Sequence, residues 1–135
     1  MTRITIPLVG MGFHPPARQV LTVLPLGTEL ELSHESNNEY DPDAVAVHVD
    51  MSNYRNLSRL EIALVGTNFK AQELGTVHLG YLARSGAKTA RGGPGNKEAL
   101  KLANANGWGF LGLKPTLGAD MDGAPIVVID FHEAT

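Results

Sequence analysis

The stretch NNEYDPDAVAV, residues 37–47, joins a polar turn directly to a strand and is the most specific feature of the chain. Its second half alternates with the period of a β-strand, with valines on one face and alanines on the other. Residues 28–33, TELELS, alternate in the same way, with Leu30 and Leu32 inward and the acids toward water. The sequence therefore predicts strand, turn and strand across residues 28–49.

Other parts of the chain also have the composition of a β-rich protein. Its 15 glycines and 8 prolines favour many turns over a helical bundle. Further strands are predicted at 3–9, 76–82, 110–117 and 126–132, with a turn at Asp122-Gly123. Gly80 is expected where another backbone or a ligand approaches closely. A helix is predicted at 97–104 with Asn96 as its N-cap, residues 20–24 and 59–65 fit either a strand or a helix, and no firm prediction covers 51–73.

Together these elements predict a mainly β fold, in which about six strands form a small, partly open barrel with one or two short α-helices. The 135 residues are expected to form a single domain, residues 1–135. The chain has no cysteine, which excludes disulfides, thiolate metal sites and a cysteine nucleophile. No apolar run is long enough to span a membrane, and the N-terminus lacks a signal-peptide pattern. A cytoplasmic protein is expected.

The polar turn carries the candidate chemistry. Asn37, Asn38, Tyr40 and Asp41 place two carboxamides, a phenol and a carboxylate within five residues. Such a set can donate to phosphate, stack on a base and accept from a hydroxyl. The alternative is structural, because Asn and Asp also form Asx turns that cap hairpins, and Tyr40 could pack at the rim.

Charge is distributed unevenly along the chain. The net charge of −3 argues against indiscriminate nucleic-acid binding. Residues 29–50 hold seven acids and no Lys or Arg, whereas residues 84–101 hold five bases and one acid, a local net charge of +4. The basic segment fits either a solvated surface or an interface.

Catalysis is not indicated by the sequence. The five histidines have no metal-ligand spacing, and residues 92–97 lack the spacing of a phosphate-binding loop. Neither a metal nor a cofactor is expected, and the protein is predicted not to be an enzyme.

Four segments, residues 9–10, 27–32, 37–47 and 79–84, resemble in order the motifs of the HIRAN domain family, across about residues 9–90. Asn-x-Tyr-Asp-x-x-Ala-Val, beginning at Asn38, is the specific part. The resemblance implies an OB-like barrel. The family includes standalone bacterial or phage proteins and modules fused to fork-remodelling DNA translocases, and the fused eukaryotic members bind the 3′ end of single-stranded DNA.

The resemblance also implies roles for individual residues. Asn38, Tyr40 and Asp41 would line the end-binding pocket, with Asp41 accepting from the terminal 3′ hydroxyl and Tyr40 packing on the last sugar or base. Phe13 and His14 would be stacking rings, although core packing is the alternative for Phe13. Tyr81 would occupy another pocket position. Gly12 stands where DNA-binding members have an arginine, which makes Arg18 and Arg84 the candidates for the phosphate contact.

The expected function is that of a non-catalytic module that binds single-stranded DNA at its 3′ hydroxyl end, for recruitment in DNA repair or replication. The candidate nucleic-acid-binding residues are Phe13, His14, Asn37, Asn38, Tyr40, Asp41, Tyr81 and Arg84. The alternative is a protein-interaction module of the same fold that contacts a host, replication or repair protein through the acidic face at residues 29–50.

Overall fold

The computed structural model describes residues 2–84, 93–105, 110 and 113–131. Its strands are β1 (Thr2–Val9), β2 (Glu31–His34), β3 (Val45–Asp50), β4 (Thr76–Leu82), β5 (Thr116–Ala119) and β6 (Pro125–Phe131). Its α-helices are α1 (Ala17–Leu21), α2 (Ser58–Ala63) and α3 (Asn96–Ala105), and short 3₁₀ turns cover Met11–Phe13, Met51–Asn53 and Ala71–Glu73. The six strands form one antiparallel sheet in the order β2-β3-β4-β1-β6-β5.

The sheet curls until its two outer strands approach each other. The segment before β2 hydrogen-bonds to the start of β5: the N–H of Gly27 donates to Leu117 O at 2.8 Å, and the N–H of Leu117 donates to Thr28 O at 2.9 Å. The N–H of Leu30 donates to Pro115 O at 2.8 Å. This contact joins the edges and gives the mainly β, OB-like, partly open barrel of six strands that the sequence predicts.

The interior of the barrel is filled by the alternating apolar residues of the strands. Val45, Val47 and Val49 of β3 are fully buried, and Ala46 on the opposite face is buried as well, so β3 is covered on both sides. The other strands and the helices cover the rest of the core, with Ile6, Val20, Leu60, Leu79, Val127 and Ile129 among its fully buried side chains. A core of this size supplies the main favourable term for folding.

Most of the predicted elements are confirmed, and the undecided segments are helical. β1, β3, β4 and β6 match the predicted strands, although His132 lies outside the described residues. Residues 20–24 begin within α1, and most of 59–65 is α2. The Asp122-Gly123 turn is present, with Gly123 at φ 82° and the Asp120 carboxylate accepting from the N–H groups of Asp122 and Ala124.

Three details of the sequence prediction are wrong. Residues 111 and 112 of the strand predicted at 110–117 lie outside the described residues. In the described part the strand begins only at Thr116, because Pro115 has no N–H for a ladder and Phe110 lies in a turn. The strand predicted at 28–33 begins at Glu31, because residues 27–30 pair with β5 rather than with β3. Asn96 does not cap α3 with its side-chain oxygen, which accepts no hydrogen bond. Its amide instead donates to Asp41 at 2.9 Å.

Gly80 lies where β4 meets β1, and the close approach predicted there is confirmed. Its φ is 147°, and a Cβ at this position would overlap the carbonyl oxygen of Val9. β1 and β4 pair at two register positions, Leu8 with Leu82 and Val9 with Tyr81. The absence of a side chain at Gly80 thus allows the two strands to come together at the centre of the sheet.

Across the part of the chain that the structure describes, no helix is both long enough and apolar enough to cross a bilayer.

Candidate functional site

An open pocket of about 730 Å³ lies where the end of β1, the following 3₁₀ turn, the polar turn before β3 and the end of β4 converge. We refer to it as the candidate pocket. Every predicted site residue except Asn37 lines it, and Asn37 is exposed outside it. Val9, Ala44 and Leu82 also line the pocket and were not predicted, because they read as ordinary strand residues. The structure therefore places in one pocket residues up to about 70 positions apart in the chain, which the family resemblance had assigned to one site.

The polar turn is held in shape by its own side chains. Asn38 Oδ1 accepts from the N–H of Tyr40 at 2.9 Å and from that of Asp41 at 3.1 Å. Asp41 Oδ1 accepts from the N–H of Asp43 at 2.9 Å. These are Asx-type bonds, so the structural interpretation is confirmed for Asn38 and Asp41.

Asp41 connects three segments of the chain. Its Oδ2 accepts from Arg84 Nε at 3.1 Å, just beyond β4, and from Asn96 Nδ2 at 2.9 Å, at the start of α3. Arg84 also donates from Nη2 to the carbonyl of Tyr40 at 2.7 Å. Burial alone would raise the pKa of Asp41, but the hydrogen bonds from Asp43, Asn96 and Arg84 outweigh it and lower the pKa. The group is therefore a carboxylate at neutral pH and an acceptor.

Two aromatic rings stand at the mouth of the candidate pocket. Tyr40 is 83% exposed and Phe13 is 86% exposed. The alternative that Phe13 belongs to the core is therefore wrong. A large ring left in water contributes little to folding, and its exposure beside a pocket is typical of a binding surface.

Glu35 joins the polar turn to the floor of the pocket, and sequence reasoning did not include it in the site. Its Oε1 accepts from Tyr81 Oη at 2.9 Å and from Asn38 Nδ2 at 3.1 Å. Burial would raise the pKa of Glu35, but these two hydrogen bonds and the nearby His78 and His48 lower it. In the sequence, Glu35 was interpreted only as one of the acids of residues 29–50. Asp41 and Asp50 of the same segment also accept hydrogen bonds from other groups of the protein. The acidic face is thus partly an internal network.

A stack of histidines runs from the pocket wall along β4 and β3. The ring centroids of His14 and His78 are 3.8 Å apart, and those of His78 and His48 are 4.5 Å apart. Tyr81 packs edge-on against His78 at 5.0 Å. Burial, and then the neighbouring imidazole, lowers the pKa of His14 and of His78. Alternation in the sequence could not have located this stack, because it does not show that His48 and His78 are register partners.

The stack makes stability depend on pH. Because the folded state lowers the pKa of His14 and His78, the unfolded chain binds more protons once the pH falls below the ordinary value of 6.5. Stability is therefore expected to be fully present above that value and to decrease as the pH falls through the folded pKa values. Urea unfolding at pH 7.5 and 5.5 should show this loss. It should be smaller in His78→Phe, while Met121→Ala, at a fully exposed side chain that does not titrate, should follow the wild type. Equal losses in all three proteins would contradict the prediction.

Arg18 lies beside the glycine that replaces the expected arginine. A Cβ at Gly12 would be 2.9 Å from Arg18 Nη2, so the Arg18 guanidinium is next to the residue that precedes Phe13. Of the predicted basic segment, Lys88 and Arg91 lie outside the described residues. Within the described ranges, no group of three or more His, Asp or Glu side chains is arranged to hold a metal ion.

Comparison with known proteins gives a structural likeness and no relative with a known activity. No protein-family model matches the chain, and no curated protein is significantly similar to it. A crystal structure described as a protein from Lactobacillus plantarum is similar over 95% of this chain and 92% of that one, with 18% sequence identity and a TM-score of 0.46.

Proposed function

We propose that the protein is a non-catalytic module that binds single-stranded DNA at its 3′ hydroxyl end, in the candidate pocket. The observation that carries the proposal is the composition of that pocket. Two exposed rings, Phe13 and Tyr40, stand beside an ionised carboxylate, Asp41, and a guanidinium, Arg84. These are the groups that a terminal nucleotide requires: a stacking surface, a hydroxyl acceptor and a phosphate donor.

Each group would have a separate role. Tyr40 and Phe13 would stack on the terminal bases or sugar, which suits a protein of net charge −3, since stacking needs no high positive charge. A guanidinium has five N–H donors, more than Arg84 uses in its contacts to Asp41 and Tyr40, so it can also meet a phosphate. Asp41 would accept from the 3′ hydroxyl. A 3′ phosphate would instead bring a second negative charge against Asp41 and be rejected.

In the proposed role, the module would act by recruitment to DNA ends in repair or replication. The runner-up, a protein-interaction module that uses residues 29–50, gains no specific support, because Glu35 and Asp50 of that set accept hydrogen bonds within the protein.

The deciding experiment is fluorescence anisotropy with short labelled strands at low and physiological salt. Four ligands separate the hypotheses: a single strand with a free 3′ hydroxyl, one with a 3′ phosphate, one with a blocked 5′ end, and a blunt duplex. We expect both strands with a free 3′ hydroxyl to bind, and the 3′ phosphate and the duplex to bind much more weakly. If the folded protein binds none of the four, the proposal is wrong and protein interaction becomes the better hypothesis.

Tyr40→Ala is the matched variant for this assay. Loss of one stacked base should weaken binding of the free 3′ end by about 5- to 100-fold, from about 1–3 kcal/mol per base. The melting temperature should hardly change, because the Tyr40 side chain is mostly exposed. Met121→Ala, at a fully exposed side chain outside the pocket, is the control. If Tyr40→Ala binds the free 3′ end as tightly as this control does, Tyr40 does not contribute to the binding site.

A further inference from the structure

A second depression adjoins the candidate pocket, and a third adjoins the second. The second depression, of about 460 Å³, includes Phe13 and His14, which also line the candidate pocket. The third, of about 430 Å³, shares Phe69 and Glu73 with the second. The three depressions therefore form a series, which we call the groove, with Phe13 and His14 at its first boundary and Phe69 and Glu73 at its second.

An exposed aromatic ring stands at each boundary of the groove. Phe13 is 86% exposed and Phe69 is 38% exposed. Phe13 is not part of the hydrophobic core, whereas Phe69 is more than half covered and lines its two depressions together with the core residues Ala71 and Leu74. Folding therefore gives no reason for the ring of Phe13 in water, and the part of Phe69 that stays exposed offers a second surface in series on which an unpaired base can stack.

A cation accompanies each of the two rings. The Arg18 guanidinium lies against Gly12, immediately before the first ring, and Lys70 immediately follows the second and lines the third depression. Glu61 and Glu73 line the same part of the groove. The groove is thus not a uniformly basic channel for duplex DNA, and its contacts favour the faces of bases with single cations beside them.

We infer that the groove is the track for the single strand that leads away from the 3′ end, with its unpaired bases stacking first on Phe13 and then on Phe69. The inference rests on the proposed function, which places the terminal nucleotide in the candidate pocket. The occupant is a single strand, because paired bases do not offer their faces to a ring. Nucleotides on the 5′ side then cross the first boundary into the second depression, and Lys70 meets the backbone beyond the second boundary.

The test compares strand lengths in a competition assay, with unlabelled DNA of two nucleotides and of about eight, a length within the range bound by one OB-like fold. Both strands carry a free 3′ hydroxyl. The wild type should bind the longer strand more tightly. Phe69→Ala should weaken binding of the longer strand by about 5- to 100-fold and leave that of the dinucleotide unchanged. Lys70→Ala should reduce the salt dependence for the longer strand by about 0.7 in the slope of log K against log salt.

The control is Leu26→Ala, which shortens an apolar side chain that is 69% exposed and lines none of the three depressions. Equal affinity of the wild type for both lengths, or an equal effect of Phe69→Ala on both, would overturn the track and leave the end pocket intact. If neither length binds to the folded protein, the proposed function fails together with the track.

Discussion

Replacement of Gly80 by alanine is expected to lower the free energy of unfolding by about 3 kcal/mol or more. Two effects add. The backbone at φ 147° is strained for any residue with a side chain, and the new methyl group would overlap the carbonyl oxygen of Val9. The neighbouring strand cannot yield easily, because this is the seam at which β1 and β4 pair at two register positions. The loss should lower the melting temperature by about 10 °C.

The matched control is Gly75→Ala, one residue before β4. A Cβ at Gly75 meets no atom within 4 Å, so this variant should unfold within about 1 kcal/mol of the wild type. Thermal and urea unfolding of the three proteins measure the difference. If Gly80→Ala and Gly75→Ala were equally stable, the close approach of β1 to β4 would not be a constraint on the fold.

Asp41→Ala is expected to reduce both stability and binding. The carboxylate accepts from Asp43, Arg84 and Asn96, and Asn96 is only 1% exposed. Without Asp41, the Asn96 amide loses the partner of Nδ2 while its Oδ1 already has none. The contact to the largely exposed Arg84 contributes little, so the expected loss of about 2–4 kcal/mol comes mainly from the other two hydrogen bonds.

The pH dependence of the same variant supplies an independent check. Because the pKa of Asp41 is lowered in the folded protein, its contribution is present above the ordinary value of 3.8 and is lost as the pH falls through the folded pKa. The difference between wild type and Asp41→Ala should therefore shrink in acid. Asp122→Ala, which removes an exposed carboxylate from the β5–β6 turn, should leave stability within about 0.5 kcal/mol of the wild type. A constant difference from pH 7 to pH 3 would contradict the role of the ionised group.

On the binding side, Asp41→Ala should also remove the distinction between a 3′ hydroxyl and a 3′ phosphate. The anisotropy assay measures this ratio directly, at a temperature where both proteins are folded. Retained discrimination by the folded variant would place the hydroxyl acceptor elsewhere. Tyr40→Ala is the complementary variant. It is expected to weaken binding of both the 3′ hydroxyl strand and the 3′ phosphate strand, while the ratio of the two affinities stays the same.

The sequence pattern predicted the strands, whereas the grouping of the residues that meet at the candidate pocket came from the resemblance to a known family. Periodicity identified β3, β-propensity identified β4, and the glycine in β4 correctly indicated a close approach. Periodicity could not show that residues 27–30 pair with the far edge of the sheet, because alternation reports which face is buried and not which strand is the partner. Nor could it separate a helix from a strand at α1 and α2, whose apolar runs are short.

The contacts within the site were less predictable than its members. Asn96 is a residue type that is preferred at helix N-caps, but its side-chain amide donates a hydrogen bond to Asp41, 55 positions earlier in the chain. Glu35 looked like a surface acid, yet it binds Tyr81 and Asn38. Both depend on contacts between segments that only the folded chain brings together, and no local pattern reports them.

The closure of the barrel also affects how strongly the protein tends to associate with other chains at high concentration. Because residues 27–30 hydrogen-bond to the start of β5, that part of each outer strand is not available as a template for strand addition by another chain. Within the described residues, no strand pairs with the short outer edge of β2, where the side chains of Glu31, Ser33 and His34 are exposed and polar. A short edge bearing charge resists edge-to-edge association, so the same contact that shapes the barrel protects the protein against aggregation.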